Sequence, residues 1–146
     1  MKITNKRAGY EYTLEPERIE AGVVLSGGEA KAVRTGHVDL NRAVAKVVDD
    51  EIFLINANIP VLGAKNYTST RMRKLLMHRR EIVSISTKMK QFKLTLVPVS
   101  MYNKGRLIKV GLALGKSKHK FEKKEVIKRK DIEREINREL KIIRSG

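Results

Sequence analysis

Short apolar runs, each closed by residues that favour turns, recur along the first 114 residues of this 146-residue chain. In residues 107–114 the aliphatic side chains recur at every second position, which is the period of a strand with one buried face. Asp49 and Asp50 separate two such runs and predict a hairpin turn, and Pro98 predicts an edge or bulge position in its strand. Strands this short need a shared core, so the pattern predicts a mainly β fold with short helices, closed as an antiparallel barrel. The predicted strands cover residues 10–14, 23–25, 37–48, 51–57, 94–102 and 107–114.

A short helix is predicted after the Ser-Gly-Gly sequence of residues 26–28, because this sequence ends the preceding strand. Glu29 opens the first turn, where a carboxylate interacts favourably with the helix dipole. Lys31 and Arg34 lie three residues apart and share one face. By spacing alone, this is an amphipathic helix that covers one end of a sheet and carries two solvated cations.

A second helix is predicted over residues 71–82, with Thr70 as its N-cap. Its apolar residues recur at helical spacing, and its cations form a flank beside them. The apolar positions are Met72, Leu75 and Leu76, and the flanking cations are Arg71, Arg73 and Lys74.

The charge of the chain predicts a polyanionic partner. Lys and Arg number 32 against 16 Asp and Glu, a net charge of +16, and this excess repels itself unless an anion balances it. Residues 65–93 hold nine cations against Glu81 alone, and residues 116–146 hold twelve cations against six acids. Two basic zones favour two contacts with nucleic acid. A membrane surface is disfavoured, because the chain has no Trp and the basic tail has only Phe121 as an aromatic anchor.

The residue pattern predicts neither a catalytic site nor a metal site. The chain has no cysteine, and His37, His78 and His119 have no metal-ligand spacing to one another. Residues 115–117 (Gly-Lys-Ser) lack the upstream glycine of a phosphate-binding loop. We therefore expect no catalytic residue, no metal and no cofactor. No apolar run is long enough to cross a membrane, and the expected location is the cytoplasm.

Four stretches carry a resemblance to a known family. Residues 20–34 (EAGVVLSGGEAKAVR) match its signature, and residues 5–8 (NKRA) precede an aromatic strand as they do in the family. Residues 71–82 (RMRKLLMHRREI) and the tail motif in residues 115–125 also match. The chain resembles the small protein B family, the transfer-messenger-RNA binding proteins of bacterial ribosome rescue. It departs from the family in a longer turn at residues 15–18, and in about two inserted tail residues that leave the roles of His119 and Phe121 interchangeable.

The resemblance implies an OB-like barrel over residues 1–115 and a basic tail over residues 116–146. It implies a translation factor that binds the tRNA-like domain of transfer-messenger RNA and delivers it to stalled ribosomes, and we expect the protein to be a monomer. The tail is then expected to contact small-subunit ribosomal RNA at the decoding centre and to occupy the empty mRNA channel. A structural protein of the same barrel type that binds ribosomal RNA remains the alternative.

The expected RNA-binding residues come from the resemblance and from the charge pattern. By resemblance, Asn5, Glu20 and Leu76 lie where the family contacts the tRNA-like domain. Glu20 either accepts a hydrogen bond from a base or orients neighbouring cations, and Leu76 is either core or a surface for an exposed base. The expected phosphate contacts are Lys6, Arg7, Lys31, Arg34, Arg71, Arg73 and Lys74.

The tail is expected to be disordered when free and helical when bound, because its apolar stripe has no partner inside a barrel. The stripe consists of Ile132, Ile136 and Leu140. The residues expected to position the tail at the ribosome are Lys116, Lys118, His119, Lys120, Phe121, Glu122, Lys123 and Lys124.

Overall fold

The computed structural model describes residues 2–118 and 134–138. Within them, β-strands form the body of the molecule and three helices connect or flank them. The strands are β1 (Lys2–Thr4), β2 (Tyr12–Leu14), β3 (Ile19–Val23), β4 (Val44–Val48), β5 (Glu51–Ile55), β6 (Arg73–Leu76), β7 (Thr95–Lys104) and β8 (Leu107–Ser117). The helices are α1 (Ala8–Glu11), α2 (Gly27–Arg34) and α3 (Arg79–Phe92).

Six strands close into an antiparallel barrel in the order β7–β4–β5–β6–β3–β8, and β8 pairs back to β7. The two long strands β7 and β8 extend beyond the barrel at opposite ends. There β1 pairs with the second half of β7, and β2 pairs with the last residues of β8. The predicted closed barrel is confirmed, and so is the hairpin of β4 and β5.

The core fills the barrel with the inward residues of each strand. Ile52 and Leu54 of β5, and Val110 and Leu112 of β8, have no exposed surface. Burying an aliphatic side chain of this size contributes about 1.5–3 kcal/mol, so this alternation is the main source of stability. The predicted inward face of residues 107–114 is therefore confirmed.

Pro98 lies at a bulge in β7, as the sequence predicts, because the register with β8 shifts between Pro98 and Ser100. Asn5 stabilises this irregular stretch. Its side-chain Nδ2 donates to the Pro98 carbonyl at 2.8 Å, and its backbone N–H donates to the Val99 carbonyl at 2.8 Å. Carbonyls freed by a bulge need such partners when they are buried.

The helix predicted over residues 71–82 is wrong over most of its length. Residues Arg73–Leu76 form β6, which pairs with β3 on one side and β5 on the other. Helix α3 begins only at Arg79. In β6 the side chains of Arg73 and Leu75 point inward, while those of Lys74 and Leu76 point outward. A four-residue stretch does not distinguish helical from strand spacing, and the two neighbouring strands supply the hydrogen bonds that decide it.

The two ends of the barrel also differ from the prediction. Residues 2–4 form a strand that the sequence does not predict, and residues 8–11 form α1, so the strand predicted over residues 10–14 starts at Tyr12. β8 continues through Ser117, beyond the predicted end of the barrel at Gly115, because β2 pairs with residues 115–117. Two further predicted strands shift, since β3 ends at Val23 and β4 begins at Val44.

Helix α2 is confirmed, and a reciprocal cap fixes its start. The Ser26 hydroxyl accepts from the Glu29 backbone N–H at 3.2 Å, and the Glu29 carboxylate accepts from the Ser26 backbone N–H at 2.9 Å. The predicted turn at Asp49 and Asp50 is also confirmed, since both residues adopt the left-handed conformation with φ of 50° and 62°. Two such residues form the turn that suits the twist of a hairpin.

None of the helices in residues 2–118 and 134–138 combines the length and the apolar character needed to cross a membrane. The same described residues contain no cluster of three or more His, Cys, Asp or Glu side chains placed to hold a metal ion.

Candidate nucleic-acid interface

Two transverse rows of residues run across the outside of five neighbouring strands, β6, β3, β8, β7 and β1. We call this surface the five-strand face. The residues of the first row are paired directly across the five strands. The second row lies about two residues further along each strand and crosses β3, β8, β7 and β1. The first row is Leu76, Gly22, Lys109, Tyr102 and Lys2, and the second is Glu20, Gly111, Ser100 and Thr4.

Glycines keep the middle of the five-strand face low. A Cβ atom on Gly22 would lie 3.4 Å from the Leu76 Cβ, and one on Gly111 would lie 2.6 Å from the Ser100 Oγ. Beside Gly22, the Leu76 side chain stands 54% exposed, an unusual exposure for a leucine in a central strand. The face is therefore a shallow floor with an exposed apolar side chain, and Leu76 is a surface residue and not core.

The carboxylate of Glu20 is held by groups from β7. It accepts a hydrogen bond from the Tyr102 hydroxyl, and its Oε1 lies 3.3 Å from the Lys104 Nζ. The hydrogen bond from Tyr102 is the main cause that lowers the pKa of Glu20, so this carboxylate is charged at neutral pH. Burial and the hydrogen bond to Glu20 raise the pKa of Tyr102 to about 12. Tyr102 therefore stays protonated and keeps donating to Glu20.

Cations surround this pair. Lys2 and Lys104 are exposed, and half-buried Lys109 extends over Gly22. The arrangement offers an apolar and aromatic floor, a fixed hydrogen-bond acceptor and several ammonium groups. Structured RNA is recognised with this set of groups, because unstacked bases need a floor, base amino groups need an acceptor and phosphates need cations.

A second ionic cluster lies inside the molecule. The Glu29 carboxylate binds Arg73 at 2.7 Å (Nη2–Oε2) and Arg71 at 3.0 Å (Nε–Oε2). Burial raises the pKa of Glu29, but four hydrogen bonds outweigh burial and lower this pKa to about 2. Their donors are Arg71, the Ser26 backbone, Arg73 and the Tyr67 hydroxyl. The cluster fixes α2 against β6 and the loop before it.

This cluster corrects the predicted position of two cations. Arg73 has no exposed surface, and its guanidinium donates to Glu29 and to the carbonyls of Ala57, Arg71 and Ser69. It therefore does not lie on a solvated helix flank, and no phosphate reaches it in this conformation. Arg71 is partly exposed but shares the same carboxylate.

The other predicted RNA-binding residues are spread over the surface. Lys74 is exposed on β6, two residues before Leu76, and its Nζ lies 3.4 Å from the Glu51 Oε1.

The remaining predicted cations lie on other parts of the surface. Lys31 and Arg34 are exposed on α2, where the Arg34 side chain donates to the Arg106 carbonyl at 3.2 Å. Lys6 and Arg7 are exposed after β1, whereas Asn5 between them and β1 is buried at the bulge.

Most tail residues of the predicted site lie outside the described residues: His119, Lys120, Phe121, Glu122, Lys123, Lys124, Ile132 and Leu140. Lys116 is an exposed residue of β8, and the Lys118 Nζ donates to the Gly9 carbonyl at 2.8 Å. Residues 134–138 are helical, and Ile136 is buried against Val48 and Ile55 on the outside of the barrel. Ile136 therefore has apolar partners on the outer surface of the barrel, a position that the sequence did not predict.

Sequence reasoning did not single out Tyr102, Lys109, Lys104 or Lys2. A signal was present, because Lys109 and Gly111 alternate with the buried Ile108, Val110 and Leu112 in β8, and Gly22 is a glycine inside a strand. Tyr102 belongs to the face through its register with Lys109, and pairing register is not visible in a single sequence.

Comparison with known proteins identifies close relatives. A family model described as SmpB protein matches residues 2–142. The SsrA-binding protein of Chloroflexus aggregans is 45% identical over 141 residues, which span 94% of this chain and 89% of the relative. The SsrA-binding protein of Bacillus licheniformis is 44% identical over 137 residues, which span 92% of this chain and 87% of the relative.

A solved structure supports the same relationship at the level of the fold. One chain of a structure reported as "tmRNA-SmpB: a journey to the center of the bacterial ribosome" superposes with a TM-score of 0.67 at 36% sequence identity. The match covers 84% of this chain and 88% of that chain.

Proposed function

The chain belongs to the SmpB protein family, and from this premise we propose that it binds transfer-messenger RNA and acts with it on the ribosome in trans-translation. Its partners are this RNA and the ribosome. We place its action in the cytoplasm, where ribosomes translate, and assign it binding and not catalysis.

The observation that carries the proposal is the exposed Leu76 beside Gly22 on the five-strand face. An exposed leucine over a glycine floor accepts a flat ligand such as an unstacked base, because the apolar contact is made without displacing another side chain. The neighbouring Glu20 carboxylate is charged and held in place by Tyr102, so it accepts a hydrogen bond from a base amino group.

The cations around the face bind the RNA backbone in this proposal. Lys2, Lys104 and Lys109 surround the floor, and exposed Lys6 and Arg7 follow β1. Each phosphate contact releases condensed counterions, which supplies affinity without sequence preference. Asn5 contributes indirectly, since its hydrogen bonds hold the bulge of β7 next to β1.

The tail supplies the contact with the ribosome. We assign RNA recognition to the barrel, up to Ser117, and ribosome engagement to the residues that follow. A vacant mRNA channel is lined by RNA, so a cationic segment enters it and reports that no message is present. A stalled ribosome whose mRNA channel is vacant is the ribosome whose peptide needs to be tagged.

A pull-down of the full chain from cells separates this proposal from a structural ribosomal-RNA binder. The proposal predicts recovery of a small RNA with tRNA-like ends, both from the whole lysate and after ribosomes have been removed from it by centrifugation. Recovery of ribosomal RNA alone would favour the alternative.

Peptide tagging on ribosomes stalled at a truncated message tests the tail. A chain that ends at Lys118 keeps every strand of the barrel. We expect it to bind the tRNA-like RNA and to fail in tagging when RNA occupancy is matched. Tagging at the full-length rate would show that the tail is only an anchor.

A further inference from the structure

A cleft of about 510 Å³ lies beside the start of β4 and the end of β5. Every residue that lines it has a polar or charged side chain, and these residues come from the start of α1, the segment before β4, the segment after β5 and the segment before β6. Sites for small organic ligands are lined mainly by apolar and aromatic side chains. This cleft instead suits a ligand that is polar over its whole surface.

The segment before β4 folds as a tight turn. The Ala43 N–H donates to the Leu40 carbonyl at 3.0 Å, which closes the turn. Asn41 and Arg42 therefore take its two corner positions, and the Asp39 Oδ1 accepts from the Asn41 N–H at 2.8 Å. Leu40 and Ala43 are buried and anchor the turn in the core. The turn thus places the exposed side chain of Arg42 in the lining of the cleft.

Asn58 brings a buried acceptor to the same cleft. Its backbone pairs with that of Asp39 through two hydrogen bonds of 2.9 Å, and its side chain is part of the lining. Within residues 2–118 and 134–138, the Asn58 Oδ1 is the one buried side-chain oxygen or nitrogen without a hydrogen-bond partner. Such an unpaired atom costs free energy, so its presence at a cleft indicates a ligand that donates to it.

A second guanidinium, that of Arg7, lines the cleft from the N-terminal segment. The Arg7 N–H donates to the Asn5 Oδ1 at 3.2 Å, and the Nδ2 of the same amide binds the bulge of β7. The ion pair of Arg7 with Glu11 is exposed and long, at 3.9 Å. The lining therefore carries two guanidiniums against one carboxylate, that of Asp39, and favours an anion.

We propose that this cleft binds the ribose–phosphate backbone of an RNA strand, with Arg7 and Arg42 on phosphates and Asn58 on a ribose 2′-hydroxyl. The proposal rests on the proposed function. Guanidinium groups bind phosphate oxygens through paired N–H donors, and a 2′-hydroxyl both donates and accepts hydrogen bonds. On binding, the 2′-hydroxyl supplies the donor that the Asn58 Oδ1 lacks. A deoxyribose has no such donor, so the cleft selects RNA by its sugar.

Strand β1 connects the cleft to the five-strand face. Lys2 and Thr4 are the last residues of the two rows of that face, and Arg7 follows Thr4 by three residues. An RNA whose bases lie on the face therefore meets the cleft where its backbone passes the end of β1. The described residues that line the cleft include no aromatic or aliphatic side chain, so the cleft offers a base no surface for stacking.

Single 2′-deoxy substitutions in the tRNA-like RNA test the contact with ribose. We would measure the affinity of each substituted RNA for the natural chain and for Asn58→Ala by fluorescence anisotropy. At one backbone position or more, the substitution should weaken binding of the natural chain about fivefold, the usual effect of one neutral hydrogen bond, and binding of Asn58→Ala by less than about twofold. Equal losses in the two proteins at every position would overturn the contact with ribose.

The salt dependence of binding tests the contact with phosphate. Arg42→Ala should weaken binding of the tRNA-like RNA and reduce the slope of log affinity against log salt by roughly 1 in magnitude. The charge-matched control is Arg80→Ala, which removes an exposed arginine from α3 and should leave the slope unchanged. Equal slopes for the two variants would overturn the contact with phosphate.

A short RNA separates failure of this proposal from failure of the proposed function. We would add a single-stranded oligouridylate, or its 2′-deoxy counterpart, to the ¹⁵N-labelled natural chain and follow the side-chain amide signals of Asn56 and Asn58 by NMR. The ribose oligomer should shift the Asn58 signal more than the deoxy oligomer does. If the natural chain binds no tRNA-like RNA, the proposed function fails, while these shifts still decide the cleft. An Asn58 signal that stays in place, or that moves equally with both oligomers, would overturn the proposal.

Discussion

The Glu29 carboxylate and the Arg73 guanidinium form an ion pair at 2.7 Å in which both side chains are fully buried. The two residues lie 44 positions apart in the sequence, on α2 and on β6. The pair connects the helix that follows β3 to the strand that pairs with β3, so it fixes one end of the five-strand face. Arg73 thus stabilises the site from inside the protein.

Removing the carboxylate should destabilise the fold more than removing the guanidinium. Glu29→Gln leaves the Arg73 charge buried without an anion, and a loss of this kind costs about 3–5 kcal/mol. Arg73→Met should cost less, because Arg71 still binds Glu29. Urea unfolding measures both values. Glu51→Gln, which breaks the exposed pair with Lys74, is the control and should change stability by at most about 1 kcal/mol.

Stability should fall in acid because of the same carboxylate. The pKa of Glu29 is about 2 in the folded protein against an ordinary value of 4.5. A lowered folded-state pKa contributes stability above the unfolded value, and the contribution disappears as the pH falls from about 4.5 towards 2. Unfolding curves of the natural chain and of Glu29→Gln should therefore converge over this range. A constant difference between them would contradict the assignment.

Much of the fold could be predicted from the sequence, because it depends on local patterns. The alternation of β8, the left-handed turn of Asp49 and Asp50, and the bulge at Pro98 each follow from the preferences of a few neighbouring residues. The predicted helix 71–82 overlaps only the start of α3, although Ile82, Ile85 and Met89 recur at helical spacing, because the spacing of residues 71–78 also fits a helix.

The site was predicted only in part, because it depends on strand pairing. Glu20 and Leu76 are singled out only through the family resemblance, which leaves open whether Leu76 is core or surface, and the structure exposes its side chain. Arg73 was placed on the surface because an arginine is rarely buried, and nothing in residues 71–82 reveals the partner at Glu29. Tyr102 joins Glu20 through the register of β7, β8 and β3, which spans more than 80 residues of sequence.

Lys109 should contribute to the salt dependence of RNA binding. Lys109→Ala removes one ammonium group from the five-strand face, so the slope of log affinity against log salt should decrease in magnitude by roughly 1. Lys90→Ala, which removes an exposed lysine from α3, is the charge-matched control and should leave the slope unchanged. Equal slopes for Lys109→Ala and the natural chain would place the phosphate backbone elsewhere.

Tyr102 should act through its ring and its hydroxyl. Tyr102→Ala removes the aromatic floor and should cost about 1–3 kcal/mol of binding free energy, the usual contribution of base stacking. Tyr102→Phe keeps the ring but no longer donates to Glu20, so it should lose less affinity and raise the pKa of Glu20. Carboxyl chemical shifts followed by NMR against pH measure that pKa. An unchanged pKa in Tyr102→Phe would show that the hydroxyl does not hold this carboxylate.

The most direct measurement is a titration of the labelled tRNA-like domain of transfer-messenger RNA with three proteins, followed by fluorescence anisotropy. The proteins are the natural chain, Leu76→Asp, and Leu62→Asp as a control at a fully exposed loop leucine. Leu76→Asp places a carboxylate on the floor of the five-strand face, so its affinity should fall at least tenfold, about 1.4 kcal/mol. Both variants change the net charge equally, and Leu62→Asp should bind within about twofold of the natural chain. Equal affinities for Leu76→Asp and Leu62→Asp would contradict recognition of this RNA by the five-strand face.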